Sequence, residues 1–183
     1  FAQVEADEGQ INLTRFDLFF PEKRPFFMEG ASRFDFGIPR VVFERPPPLL
    51  LFYSRRVGLS EGRAIPVLAG TKVTGKAGPY GVGLLNVLTN DFHDDEVDVP
   101  RTNSTVLRLT RNVMRGSSVG VIGVNRQDGE TYNRAAGMDF SLRPRGNVDI
   151  HGLWARTFEE DAPAGARDAY YVGADWTTTI ANA

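Results

Sequence analysis

The chain has 183 residues, 21 basic and 23 acidic side chains, a formal net charge of −2 and no cysteine. The basic residues are scattered, which argues against a nucleic-acid partner because such partners need a basic stripe. The missing cysteines exclude a disulfide scaffold, cysteine-ligated zinc and a thiol nucleophile.

No apolar run reaches the roughly 20 residues of a membrane helix. The most apolar stretch, Leu49-Leu50-Leu51-Phe52-Tyr53, stops at Ser54-Arg55-Arg56. A mean hydropathy of −0.25 still permits membrane strands, since half of each such strand faces a polar lumen. A chain that opens on Phe1 and breaks off at Ala183 reads as an internal piece of a longer protein.

Residues 1–48 read as an irregular, partly helical, plug-like segment. Asn12 or Thr14 is placed to cap a short helix, and Pro21 and Pro25 limit its length. Pro46-Pro47-Pro48 is a stiff, extended spacer.

From Leu49 onward the pattern predicts eight strands, at 49–59, 65–76, 80–89, 103–114, 118–127, 131–143, 147–157 and 168–180. The sixth sets Tyr132, Arg134, Ala136, Met138, Phe140 and Leu142 on one face, and Asn133, Ala135, Gly137, Asp139 and Ser141 on the other. The eighth sets Tyr170, Val172, Ala174 and Trp176 against Tyr171, Gly173 and Asp175. A period of two is the strand signature. Gly81, Gly83, Gly120 and Gly123 form no phosphate loop; inside strands they mark bends or close packing.

Connections alternate. Short turns fall at Ala77-Gly78-Pro79, Arg115-Gly116-Ser117 and Pro144-Arg145-Gly146, and between them come 90–102, Asp128-Gly129-Glu130 and 159–167. The short-turn end carries Lys76, Arg115, Arg143 and Arg145, whereas the other end is acidic. Aromatics sit near both ends: Tyr132, Trp154, Phe158 and Tyr170 toward the loops, Tyr80, Phe140 and Trp176 toward the turns. Long strands, alternating connections and two aromatic girdles predict an all-β, antiparallel up-and-down transmembrane β-barrel fragment over 49–183. A soluble β-sandwich binding module is the alternative, because it also alternates apolar and polar residues.

The motifs Phe1-Ala2-Gln3-Val4-Glu5-Ala6-Asp7, Asn12-Leu13-Thr14-Arg15-Phe16 and Phe20-Pro21-Glu22-Lys23-Arg24-Pro25-Phe26-Phe27-Met28-Glu29-Gly30 carry a family resemblance. It continues through 51–58, 65–76 and 81–86. The chain resembles the C-terminal domain of unknown function that follows a family-9-type carbohydrate-binding module in many Gram-negative bacterial proteins. The resemblance implies an outer-membrane barrel preceded, in the same polypeptide, by that module. It also implies carbohydrate binding or passage at the cell surface, with lipid and lipopolysaccharide as partners. A glycan hydrolase, active in the barrel mouth or in the module, is the enzymatic alternative.

Candidate ligand contacts are Arg15, Glu22, Lys23, Arg24, Glu29, Arg55 and Arg56. In the Glu22–Glu29 cluster, charge alternates with aromatic pairs. It is either a luminal contact for substrate or a set of internal ion pairs, and buried charges are usually paired. On a strand, Arg55 and Arg56 would point to opposite faces. The acidic loop Asp91, Asp94, Asp95, Glu96 and Asp98 offers a hard cation such as Ca²⁺ several carboxylates, but lacks EF-hand spacing; a solvated acidic loop is the alternative. A cation bridging that loop to lipopolysaccharide would make the protein's EDTA sensitivity depend on these acids. His93 and His151 show no metal-ligand pattern, and Asp139 and Asp175, which face the polar side on different strands as a hydrolase's acids would, read equally as ordinary luminal acids. No other cofactor is expected.

Overall fold

The computed structural model describes residues 22–37, 49–60, 63–94, 98–145, 147–159 and 167–176. The expected helix capped by Asn12 or Thr14, and Arg15, lie outside the described residues. The one described α-helix, α1, is the single turn Pro25–Met28. Pro25 begins this helix, where its missing N–H costs nothing. A 3-10 turn at Ala31–Phe34 follows.

The strands, in chain order, are β1 Leu59–Ser60, β2 Arg63–Ala64, β3 Val67–Ala77, β4 Tyr80–Thr89, β5 Phe92–His93, β6 Asp98–Val99, β7 Thr102–Met114, β8 Ser117–Gln127, β9 Tyr132–Arg145, β10 Val148–Glu159 and β11 Asp168–Trp176. Seven long strands form one sheet in the order β11-β10-β9-β8-β7-β4-β3, with every neighbouring pair antiparallel. The remaining strands make two short hairpins, β1 with β2 and β5 with β6. The sheet is an up-and-down meander, open at β3 and β11 among the described residues.

Seven of the eight expected strands form close to their expected limits. The first does not. Residues 49–58 hold no strand; a 3-10 turn occupies Ser54–Arg56. The cause is Arg24, whose guanidinium draws the carbonyls of Ser54 and Val57 at 2.7 and 2.8 Å. Carbonyls turned toward one buried cation cannot form a ladder. Arg55 and Arg56 therefore do not alternate across a strand: Arg55 is buried and Arg56 exposed. Pro144 also differs from its expected place in a turn, since β9 runs through it to Arg145. It lies where the register shifts between Val148 and Ile150, so the ladder is already interrupted there.

Turn chemistry fixes the hairpins. Gly116, between β7 and β8, has φ of 71°, which L side chains rarely adopt. Between β8 and β9, Asp128 accepts hydrogen bonds from the amides of Glu130 and Thr131 at 3.1 and 2.7 Å. Those bonds hold its carboxyl below the usual carboxylate range.

The two sheet faces differ. One carries Leu85, Val87, Val106 and Ile122 and is covered by the chain's own N-terminal segment; Phe27 joins the same core cluster, with Phe34, Phe36, Leu51 and Phe52 packed against it. This is called the inner face below. The outer face presents Leu107, Leu109, Val121, Met138 and Val172, all exposed. The pairing register also puts Tyr80, Tyr132, Phe140, Trp154, Phe158, Tyr170 and Trp176 on it.

Candidate functional site

The inner face is built to receive residues 22–37. Three strand glycines make room for three phenylalanine rings. A Cβ at Gly70 would lie 3.0 Å from the Phe26 ring, at Gly83 3.0 Å from Phe34, and at Gly137 2.6 Å from Phe36. These positions lie on β3, β4 and β9, so the segment reaches across most of the sheet. The reading of strand glycines as close-packing sites holds at Gly81, Gly83 and Gly120; at Gly123 a Cβ would meet nothing within 4 Å.

Three polar anchors hold the segment. In the first, Glu22 grips Arg24 through both oxygens at 2.8 Å and accepts the Ser54 hydroxyl at 2.7 Å. Arg24 lies over the Phe27 ring, 4.0 Å from its centroid, and is buried. Burial alone would raise the Glu22 carboxyl. Hydrogen bonds from Arg24 and Ser54 outweigh that effect and lower it from 4.5 to about 2.

In the second, Lys72 on β3 donates to the carbonyls of Phe26 and Glu29 at 2.5 and 2.6 Å. These carbonyls lie at the end of α1, where the helix leaves oxygens without internal partners. Glu29 itself stays exposed, with its carboxylate 3.8 Å from Lys72. In the third, Arg108 on β7 and Asp139 on β9 form a two-pronged pair at 2.6 and 2.7 Å. Arg108 also donates to the Asp35 carbonyl at 3.0 Å, and Asp139 accepts the Gly37 amide at 2.9 Å. The pair closes across β8 at Gly120, where a Cβ would lie 2.5 Å from Arg108. Bidentate pairs of this kind are the strong, orienting ones.

The expected ligand contacts are thus distributed unevenly. Glu22 and Arg24 come together as an internal ion pair. Lys23 is exposed, and Lys72 takes the place beside Glu29. Arg55 and Arg56 sit on the turn that Arg24 holds.

In the acidic loop, Asp94 pairs with Arg63 at 2.7 Å, and Asp98 lies 2.6 Å and Asp91 3.7 Å from His93. Asp95 and Glu96 lie outside the described residues. Among the described residues no three acids or histidines converge as metal ligands. His151 is buried, 3.5 Å from Asp175 and stacked on Tyr171. Asp139, the other acid considered for hydrolysis, is committed to Arg108. Lys72 and Arg108 were not among the expected contacts; their signal is a charge at an inward position of an otherwise apolar or small-residue strand.

The folded Glu22 value lies below the unfolded one, so its contribution is complete above about pH 4.5 and is lost as pH falls toward about 2. We expect the urea midpoint to drop across that window, by a contribution on the order of 2–3 kcal/mol. Glu22→Gln should lower the midpoint at neutral pH and flatten this part of the profile. An unaltered profile in Glu22→Gln would rule out Glu22 as its source.

These features define a class: an all-antiparallel, up-and-down sheet whose inner face, apolar with a few buried charges, is covered by its own N-terminal segment. The sequence model of the family described as "Domain of unknown function (DUF5916)" matches residues 1–147, and the chain belongs to that family. Comparison with curated proteins and with solved structures finds no match.

Proposed function

We propose that this domain is part of an outer-membrane β-barrel in which residues 22–37 plug the lumen. The observation that carries the reading is the broad apolar outer face of the sheet, opposite a covered face of mixed polarity. Its covered face sets the Arg108–Asp139 pair and Lys72 among apolar residues such as Leu85, Val87 and Val106, while its open face presents Leu107, Leu109, Val121, Met138 and Val172, all exposed. A water-soluble protein rarely leaves a broad apolar surface uncovered. A barrel strand does so by design, with lipid outside and polar groups inside.

Three further features support the same reading. β3, β4, β7, β8, β9 and β10 have 10–14 residues, as many as cross a membrane or a few more. Arg111 lies 5.4 Å from the Tyr80 ring and Arg134 4.4 Å from Tyr132, so cations flank the outer band at the aromatic positions. All seven long strands lie in one sheet, whereas a sandwich divides its strands between two.

The ligand we propose is a carbohydrate, passed or presented at the cell surface of a Gram-negative bacterium. An upstream carbohydrate-binding module in the same polypeptide would deliver it. This part of the proposal rests on the family resemblance. The hydrolase reading gains nothing from Asp139, whose carboxylate Arg108 already holds.

The test is fractionation of the full-length protein together with its mobility on a gel before and after boiling. Recovery in the outer membrane with a heat-dependent shift is the expected result. Recovery as a soluble protein with no shift would overturn the membrane reading and bring the sandwich forward.

A further inference from the structure

We infer that the sheet is completed by an odd number of further antiparallel strands of the same polypeptide, paired with the edges of β3 and β11, and not by a second copy of the chain. The inference rests on the membrane reading. Six successive antiparallel pairings lead from β3 to β11. An even number of reversals leaves the two edge strands running in the same direction. Joined directly, they would pair in parallel. One added strand, or any odd number, restores antiparallel pairing at both edges and gives the even total of single-chain bacterial barrels.

The edges need partners. Hydrocarbon supplies no water to satisfy the N–H and C=O groups of an open edge. β11 carries few of the devices that blunt an exposed edge, its only charges being Asp168 and Asp175 near its two ends. It has nine residues, no proline, no lysine and no register shift against β10. Tyr170, Val172 and Trp176 on it are exposed.

A second copy does not meet the requirement. Copies inserted in one direction across a bilayer would bring β11 of one to β3 of the other, again in parallel. Antiparallel pairing of β11 with β11 would need one copy inverted, its short turns where the other has its long loops. The direction of β11 agrees with a continuing strand: it ends on the side of the sheet where Gly78 and Gly116 make short turns.

The experiment is photo-crosslinking in the full-length protein, with benzoylphenylalanine placed in turn at Tyr170, Val172 and Ala174 on β11 and at Val73 and Ala77 on β3. Met138 on β9, whose strand neighbours are known, is the control for the chemistry. We expect adducts of monomer mass that map to strands of the same polypeptide outside residues 67–176. As the probe moves toward the C-terminus along either edge, its target should move toward the N-terminus of the partner strand.

Adducts of twice the monomer mass, adducts joining β11 directly to β3, targets that move in the parallel sense, or no adduct at either edge would each overturn the inference. Fractionation and the boiling shift decide the membrane reading separately, whichever pattern of adducts is found.

Discussion

Replacing Arg108 by Met should release residues 22–37 from the sheet and lower unfolding stability by about 3–5 kcal/mol, the cost of leaving a buried charge without its partner. Arg108 is 4% exposed, and every contact it makes is specific. Two nitrogens hold the Asp139 oxygens and a third holds the Asp35 carbonyl. Methionine fills much of the same volume and supplies none of those donors. Asp139 is then left with the Gly37 amide alone among its described partners.

Two companion variants separate the charge effect from loss of packing. In Arg108→Met with Asp139→Leu, neither charge remains, and replacing both partners of a buried pair by apolar groups is often near neutral. The double variant should therefore be more stable than the single one. Gly120→Val keeps both charges and wedges a side chain between them, because a Cβ there meets Arg108 at 2.5 Å and Asp139 at 2.7 Å. It should cost about 1–3 kcal/mol, as overpacking does. The readouts are the urea midpoint of the protein refolded in detergent and protease cleavage within residues 22–37. An Arg108→Met protein with an unchanged midpoint and a protected segment would show that the pair does not anchor the segment.

The strands were legible because two independent constraints act on them. On β9, Ala135, Gly137 and Asp139 must clear or hold the N-terminal segment, while Ala136, Met138 and Phe140 make the apolar outer face. Both demands repeat every second residue, so the sequence alternates strongly. The hairpins were legible for a local reason: a positive φ at Gly116 is written in the residue type itself.

Residues 49–58 were misread because composition does not tell which partner an apolar run meets. Leu51 and Phe52 look like strand residues, yet they pack against the core beside Phe36 and Phe34. Arg24, 30 and 33 residues earlier in the chain, takes their neighbours' carbonyls. No window around residue 54 contains that information.

The inner anchors were only half legible for the same reason. Glu22 and Arg24 are two residues apart, and their pairing follows from the sequence motif. Arg108 and Asp139 are 31 residues apart and meet only because β8 places them on either side of a glycine. The inward parity of Asp139 was visible; its pairing with Arg108 was not.

A single arginine on the outer face should decide what that face touches. The pairing register lines up Val82, Leu109, Val121, Met138, Trp154 and Tyr170 in one row across six strands. Leu109 is 42% exposed, Val121 45% and Met138 54%. If water covered this row, Leu109→Arg would be an ordinary surface change, within about 0.5 kcal/mol of neutral. In the hydrocarbon of a bilayer the same change costs about 2–4 kcal/mol at mid-depth and falls to about 0–1 near the interface.

Asn125 lies on the same face, in the row where Asn86 and Thr105 are hydrogen-bonded to each other and Arg134 already holds a charge. On the proposed membrane reading, that row is the bilayer boundary. We therefore expect Leu109→Arg and Val121→Arg to lower stability in lipid vesicles by about 2–4 kcal/mol and to reduce assembly into the outer membrane, while Gln127→Arg, on the same face one step beyond Asn125 and clear of the Arg134–Asn125 hydrogen bond, changes stability by about 1 kcal/mol or less and leaves assembly unaltered. The contrast between the two depths is the measurement, because a general defect in folding would not follow depth. Equal, small effects at both depths would mean that water meets the whole face. The apolar row would then need a protein partner to explain it, and the lipid reading would be lost.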